Sequence, residues 1–271
     1  MTALLVGIAC ATVPLEPQAT STPTCTPSPS VTPLPTATPE PADTGWMHVH
    51  PSVELRRIRV EIGELIERVT IARVDPEAVL FRVHYDPVAP RPVSAWAEHL
   101  DPVLVTNGSY FSEENVSIGL LISDGRVWGT PYGSYAGLFA VTGDEQVRIS
   151  WLREQPYDRN EPLKEAIQSF PVLVKPGGVM GFPADGDDGR PSRRSVIAQD
   201  VDGRILFIVA PNGYFSLHTL ARFLAESDLG IDVALNLDGG TSAGLWVRGD
   251  STPLVVDSLV SVPSIIAVYP R

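Results

Sequence analysis

The chain predicts an α+β fold: a strand-rich single domain of mostly antiparallel mixed sheets with a few packed helices. Three observations carry this. Short runs of β-branched and aliphatic residues recur, each bounded by Pro, Gly or Asp turn signals. Asp-Gly pairs at Asp124-Gly125 and Asp202-Gly203 stand between such runs, where a tight hairpin needs residues that tolerate positive φ. One segment, residues 216–230, has both the apolar spacing and the end signals of an amphipathic helix. No internal repeat of solenoid type is present.

Taken in order, Leu65–Val74 reads as a strand and Val79–Tyr85 as its neighbour, with Asp75-Pro76-Glu77 between them and Pro76 and Pro87 marking strand ends. Residues 93–99 read as a short helix. Residues 103–106 form the next apolar strand and run into Asn107-Gly108-Ser109-Tyr110-Phe111. Residues 120–128 make a hairpin about Asp124-Gly125, and residues 138–141 and 146–149 a second about Gly143. Residues 161–169 read as a helix after Pro162, and 172–174 as a strand. Residues 194–199 and 205–210 flank Asp202-Gly203, and the unbroken Ile205-Leu206-Phe207-Ile208-Val209 run suits a strand covered on both faces. Ser216 caps the amphipathic helix, in which Leu217, Leu220, Ala221 and Leu224 recur at helical spacing until Leu229-Gly230. Residues 233–235 are a short buried strand and 264–268 the closing one.

Composition divides the chain. Residues 1–10 resemble the tail of a secretory signal: an apolar run, Ala3 to Ala9, ends at Cys10. The run is too short to span a bilayer. Small Ala9 before Cys10 is similar to a bacterial lipoprotein cleavage site, which implies lipidation at Cys10. Residues 11–45 are Thr/Pro-rich, without Lys, Arg or aromatics, and cannot bury enough apolar surface to order themselves. The globular domain is expected over 46–271. The reading is therefore extracytoplasmic, a secreted or cell-surface lipoprotein, with the membrane reached only through an N-terminal lipid anchor.

With 32 acidic against 20 basic residues, the net charge of −12 lacks the basic footprint of a nucleic-acid binder. Both cysteines, Cys10 and Cys25, lie outside the domain, which leaves it without a disulfide, a thiolate metal site or a thiol nucleophile. Asp185-Gly186-Asp187-Asp188-Gly189 lacks the twelve-residue pattern and closing Glu of an EF-hand, and reads as a solvated acidic loop. No cofactor or metal is expected.

Asn236-Leu237-Asp238-Gly239-Gly240-Thr241-Ser242 places a carboxylate just after a buried strand, backed by two glycines and two hydroxyls. Glycines let backbone approach a ligand closely, although Asp-Gly alone also makes an ordinary strand-ending turn. Three further segments accompany it: residues 107–111, Gln168-Ser169-Phe170-Pro171-Val172-Leu173-Val174, and Arg194-Ser195-Val196-Ile197-Ala198 followed by Asp202-Gly203-Arg204. In this order and spacing they resemble the phosphodiester glycosidase family, over roughly residues 69–268. The Leu-Asp-Gly-Gly segment after a helix is the most specific element. Ser109, Tyr110, Ser195, Ala198 and Thr241 depart from the residues usual there.

The resemblance implies cleavage of a sugar's anomeric C–O bond to a phosphodiester, with a carbohydrate phosphodiester as substrate. A phosphate monoester is a weakly basic leaving group, so the demand falls on an oxocarbenium-like carbon and an anion. Asp238 suits the first as base or nucleophile. Arg194 suits the second, because its planar fork matches phosphate oxygens. Asn107 and Gln168 are expected to hydrogen-bond sugar or phosphate, and Asn236, Gly239, Gly240, Thr241 and Ser242 to shape the site. Competing readings stay open at this point. Asn107-Gly108 suits a turn, Gln168 a satisfied polar group, and Arg194 a structural ion pair with Arg193 as the functional arginine. His218 is either a site-lining or an exposed helix-end residue. Trp46, Trp96, Trp128, Trp151 and Trp246 are packing residues or a sugar platform. Two rivals accompany the hydrolase: a non-catalytic glycan-binding lipoprotein of the same fold, and a phosphodiesterase cutting P–O. The second commonly needs a metal cluster, which five histidines without a paired ligand motif do not suggest.

Overall fold

The computed structural model describes residues 41–271. The signal-like segment, Cys10 and most of the Thr/Pro-rich stretch lie outside the described residues. The first strands are β1 (Met47–His50), β2 (Val53–Ile62), β3 (Leu65–Val74) and β4 (Val79–Tyr85). Helix α1 (Val93–Leu100) leads to β5 (Leu104–Asn107), β6 (Leu121–Ser123), β7 (Arg126–Val127), β8 (Gly137–Thr142) and β9 (Val147–Trp151). Then come β10 (Leu163–Ser169), β11 (Val172–Lys175), β12 (Val179–Met180), β13 (Ser192–Asp200) and β14 (Ile205–Phe215). After α2 (Leu217–Glu226) follow β15 (Ile231–Asn236), β16 (Leu245–Val247), β17 (Leu254–Val256) and β18 (Ser264–Pro270).

They form three sheets: an eight-stranded one in the order β1-β2-β3-β14-β13-β15-β11-β12, and five-stranded ones in the orders β7-β6-β10-β8-β9 and β17-β16-β5-β18-β4. The pairings between these strands are antiparallel throughout, as the α+β reading expects. The sheets meet at three phenylalanines, one from each. Phe81 on β4 packs 6.0 Å from Phe139 on β8 and 6.3 Å from Phe207 on β14, ring centre to ring centre. The outer face of the large sheet is covered by α2 through Leu220, Ala221 and Leu224. Trp96 and Ala97 of α1 cover Val105, Ile265 and Ala267. Residues 205–210 of β14 are all apolar because both faces are buried there: Phe207 and Val209 face the central core, Leu206 and Ile208 the α2 side.

Three expectations are corrected. β3 and β4 are not paired neighbours; β3 lies between β2 and β14, whereas β4 pairs with β18 in another sheet. Residues 161–169 are not helical. Leu163–Ser169 is a strand between β6 and β8, and its buried Leu163, Ala166 and Ile167 fit a helical spacing only because both faces of the strand are covered. Helix α2 stops at Glu226, with Gly230 (φ +65°) serving the following turn. Packing also begins before Trp46: Asp43 accepts from the Arg56 guanidinium at 2.6 Å and bridges to Ile58. The Trp46 ring lies 3.8 Å from the Arg73 guanidinium.

Candidate active site

β15 runs down the middle of the large sheet between β13 and β11, and the chain leaves it at Leu237, which is buried and donates to the Ser195 carbonyl at 2.8 Å. Asp238 comes next. Its N–H donates to the Gly108 carbonyl at 3.2 Å, and its own carbonyl accepts from Asn107 Nδ2 at 2.7 Å. Gly239 has no room for a side chain, since a Cβ there would sit 2.8 Å from the Arg193 carbonyl oxygen. Gly240 takes φ +59°, in the left-handed region that disfavours other residues. The two glycines thus turn the chain tightly against β13, and Ser242 N–H closes the turn on the Gly239 carbonyl at 3.1 Å.

The Asp238 carboxyl is pushed up to about 6 by burial, against the opposing pull of hydrogen bonds from the Ser242 hydroxyl and the Gly239 N–H. The two arginines of β13 make different contacts. Arg193 Nη2 donates to the Ala243 and Asp257 carbonyls at 2.9 and 2.7 Å, while its buried Nε has no hydrogen-bond partner. Arg194 runs along the glycine turn, its Cδ 4.0 Å from the Cβ position of Gly239. Its Nε donates to the Phe215 carbonyl at 3.1 Å and its Nη2 to the Arg190 carbonyl at 2.9 Å. Among the described residues it has no carboxylate within ion-pair distance. Burial presses its pKa down, while Asp187 and Asp188 act the other way.

Tyr110 feels both charges. Its phenol is raised first by burial and then by Asp238, with Arg194 opposing. Its hydroxyl donates to the Phe170 carbonyl at 2.8 Å and accepts from Asn236 Nδ2 at 2.8 Å. From Tyr110 an aromatic wall extends. Its ring centre is 5.4 Å from that of Tyr135, which lies 4.7 Å from Tyr132 and nearly parallel to Phe170 at 6.1 Å. Phe182 closes the row 6.4 Å from Phe170.

Several of the expected site residues brace the backbone around Asp238 and the aromatic wall. Asn107 is fully buried: its Nδ2 holds the Asp238 carbonyl, and its Oδ1 accepts from Gly244 N–H at 3.1 Å. Gln168 is also buried, with Oε1 accepting from Leu120 and Tyr132 N–H groups and Nε2 donating to the Tyr132 and Tyr135 carbonyls. It fixes the loop that carries the aromatic wall. Asn236 holds Tyr110 and Phe170 in the same way. Every polar atom of both the Asn107 and Gln168 amides is thus engaged within the chain. Thr241 is exposed, and its carbonyl accepts from Leu259 N–H at 2.7 Å. His218 Nδ1 donates to the Phe182 carbonyl, 3.0 Å away. Trp96 is buried with Nε1 on the Val262 carbonyl, Trp128 packs on Tyr85, and Trp151 lies under Lys175 and lines a cleft with Phe170 and Phe182. Sequence reading overlooked Tyr135, Phe170 and Phe182 as site residues. The Tyr132-Gly133-Ser134-Tyr135 turn was their one visible signal. Among the described residues no cluster of three or more His, Cys, Asp or Glu is placed to hold a metal ion.

Comparison with known proteins gives this geometry a family. The fold is similar to the zebrafish N-acetylglucosamine-1-phosphodiester alpha-N-acetylglucosaminidase catalytic domain, auto-inhibited by its pro-peptide. That match has a TM-score of 0.65 and 18% identity, covering 82% of this chain and 85% of that one. A hypothetical protein from Synechocystis matches with a TM-score of 0.61 and 17% identity, over 81% of this chain and 62% of that one. A putative exported protein from Burkholderia pseudomallei K96243 follows, at 0.56 and 13%, over 76% and 74%. At these identities the likeness is one of fold. No curated protein matches. The sequence model of phosphodiester glycosidases covers residues 101–269, from the end of α1 through the Asp238 turn into β18. Since that span is well over half of the chain and holds Asp238, Arg194 and Tyr110, the chain belongs to the phosphodiester glycosidase family.

Proposed function

We propose that this domain hydrolyses the anomeric C–O bond of a glycosyl phosphodiester, releasing a sugar and a phosphate monoester. The observation that carries the reading is the arrangement around Tyr110. Its buried phenol feels both a carboxylate with its pKa raised to about 6 and a half-buried guanidinium without a carboxylate partner. As the C1–O bond breaks, its electron pair leaves on the phosphate oxygen, and Arg194 stabilises that anion through its remaining N–H groups. Water supplies the hydroxyl at C1, and Asp238, about nine-tenths ionised at pH 7 for a pKa near 6, takes its proton. The wall of Tyr110, Tyr135 and Phe170 offers ring faces to the sugar.

We place the domain outside the cytoplasm, behind a signal-like segment (1–10) and a Thr/Pro-rich spacer (11–45), held by a lipid on Cys10. This reading rests on the apolar run before Cys10. The fold likeness to a protein described as exported is consistent with it. Among the described residues no helix is long and apolar enough to cross a membrane.

Hydrolysis of a sugar–phosphodiester substrate in oxygen-18 water, with and without EDTA, tests the chemistry. Label in the sugar is expected. Label in the phosphate means P–O cleavage, and binding without turnover means a glycan-binding domain; either result removes the proposal.

A further inference from the structure

We infer that the clefts flanking the aromatic wall form a subsite for a second phosphate group, carried on the leaving-group side of the substrate. Tyr132 and Tyr135 line a cavity of about 290 Å³ together with Arg153 and Arg159. Phe170, Phe182 and Trp151 line another of about 320 Å³ together with Arg153 and Lys175. Arg153 and Ala136 belong to both, so the two clefts adjoin across one arginine. Each is near the lower size bound of small-ligand sites, about 300 Å³.

The charges here are unusual for this chain, in which acids outnumber bases 32 to 20. Cations on the adjacent β9 and β10 are neutralised: Arg148 pairs with Glu161 at 2.5 Å, and Lys164 with Glu145 at 2.5 Å. Arg153, Arg159 and Lys175 have no carboxylate within ion-pair distance among the described residues. The adjacent carboxylates do not quench them. Asp158 Oδ1 accepts from Asn160 N–H at 2.9 Å, Glu161 is held by Arg148, and Glu154 pairs with neither arginine. Lys175 Nζ rests 4.8 Å over the Trp151 ring, which holds the ammonium at the cleft without cancelling its charge. Three unpaired cations beside stacked aromatic faces match an organic phosphate, with arginine forks for the oxygens and ring faces for the attached carbon skeleton. The wall carries the subsite to the reacting centre, because Tyr135 is 5.4 Å from Tyr110, which stands beside Asp238.

Naming these clefts the leaving-group side rests on the proposed hydrolase reading; anion binding in them does not. The test is calorimetric titration of the full chain at low salt with two probes, glycerol 1-phosphate and glycerol 1,3-bisphosphate. The wild type is expected to prefer the bisphosphate by at least about tenfold, equal to about 1.4 kcal/mol. In the double variant Arg153→Glu/Arg159→Glu, with its unfolding temperature checked, the preference falls to within about twofold. Equal affinity of the wild type for both probes overturns the inference, as does a preference that survives the double reversal. It is overturned too if the double variant keeps the bisphosphate preference but loses binding to phosphatidylglycerol vesicles, for the phosphate read there is then a lipid headgroup. Turnover retained by Asp238→Asn sinks the hydrolase reading and leaves the probe preference untouched, so the two failures are distinguishable.

Discussion

Replacing Asp238 by asparagine should make the domain more stable at neutral pH, by an amount that depends on pH in a defined direction. Burial raises the Asp238 carboxyl to about 6, against about 3.9 for an exposed aspartate in the unfolded chain. Between these values the folded state binds the proton more tightly, so stability falls as pH rises from about 4 to about 6 and stays lower above that. A shift of about two units corresponds to roughly 3 kcal/mol at full expression. The carboxylate's bonds to Ser242 and Gly239 are already contained in that pKa. Asparagine keeps the shape, can still accept one such bond and carries no charge, so its gain should be about 1–3 kcal/mol above pH 7 and close to zero at pH 4. For a domain of this size that is about 3–10 °C in the unfolding temperature. Thermal unfolding of both proteins at pH 4, 5, 6 and 7.5, beside turnover at each pH, measures it. A variant equally or less stable than the wild type at pH 7.5, or a difference independent of pH, would refute the claim that Asp238 is held charged in a desolvated site. Under the proposed function the same substitution removes the base, so stability and turnover should move in opposite directions.

Three further outcomes follow from the geometry. Arg194→Ala should weaken binding of a phosphorylated sugar by about ten- to a hundredfold while changing binding of the bare sugar by less than about threefold, since a charge-assisted pair contributes about 1.5–3 kcal/mol; titration with both ligands decides, and equal losses count against a phosphate role. Gly239→Ala drives a Cβ to 2.8 Å from the Arg193 carbonyl, so the turn must shift. Turnover should fall by about a hundredfold or more for a displacement near 1 Å, with global stability changed by at most about 2 kcal/mol, as seen by steady-state kinetics beside denaturant melts. Phe81→Ala empties the point where the three sheets meet and should cost about 3–5 kcal/mol in urea unfolding, and a loss under 1 kcal/mol would show that the sheets do not share one core there.

Much of the local structure was legible because it is written in short-range signals. The Asp124-Gly125 and Asp202-Gly203 turns close β6–β7 and β13–β14, and Gly143 follows β8 before its partner β9. Ser216 accepts from Thr219 N–H at 3.2 Å, as a helix cap should. Pairing between distant strands has no such signal. β3 and β4 are separated by four residues and nevertheless enter different sheets, whereas the partner of β4 is β18, at the far end of the chain. Residues 161–169 misled for a related reason. When both faces of a strand are covered, its apolar residues lose the alternation that marks a strand.

The candidate site divides along the same line. By itself the sequence determined that a carboxylate, two glycines and hydroxyls follow a buried strand, that a pair of arginines lies on another, and that the chain resembles one family. Only the tertiary structure decided that the Arg194 side chain runs along the Asp238 turn while Arg193 meets it through its carbonyl, that the Asn107 and Gln168 amides are held by backbone groups, and that Tyr110 and Tyr135 are the rings that feel the acid. The physical reason is range. A turn or a cap is settled by atoms a few residues apart, whereas the face an amide or a ring presents is settled by whichever strand packs against it, and that strand lies more than a hundred residues away for Asn107 and Asp238.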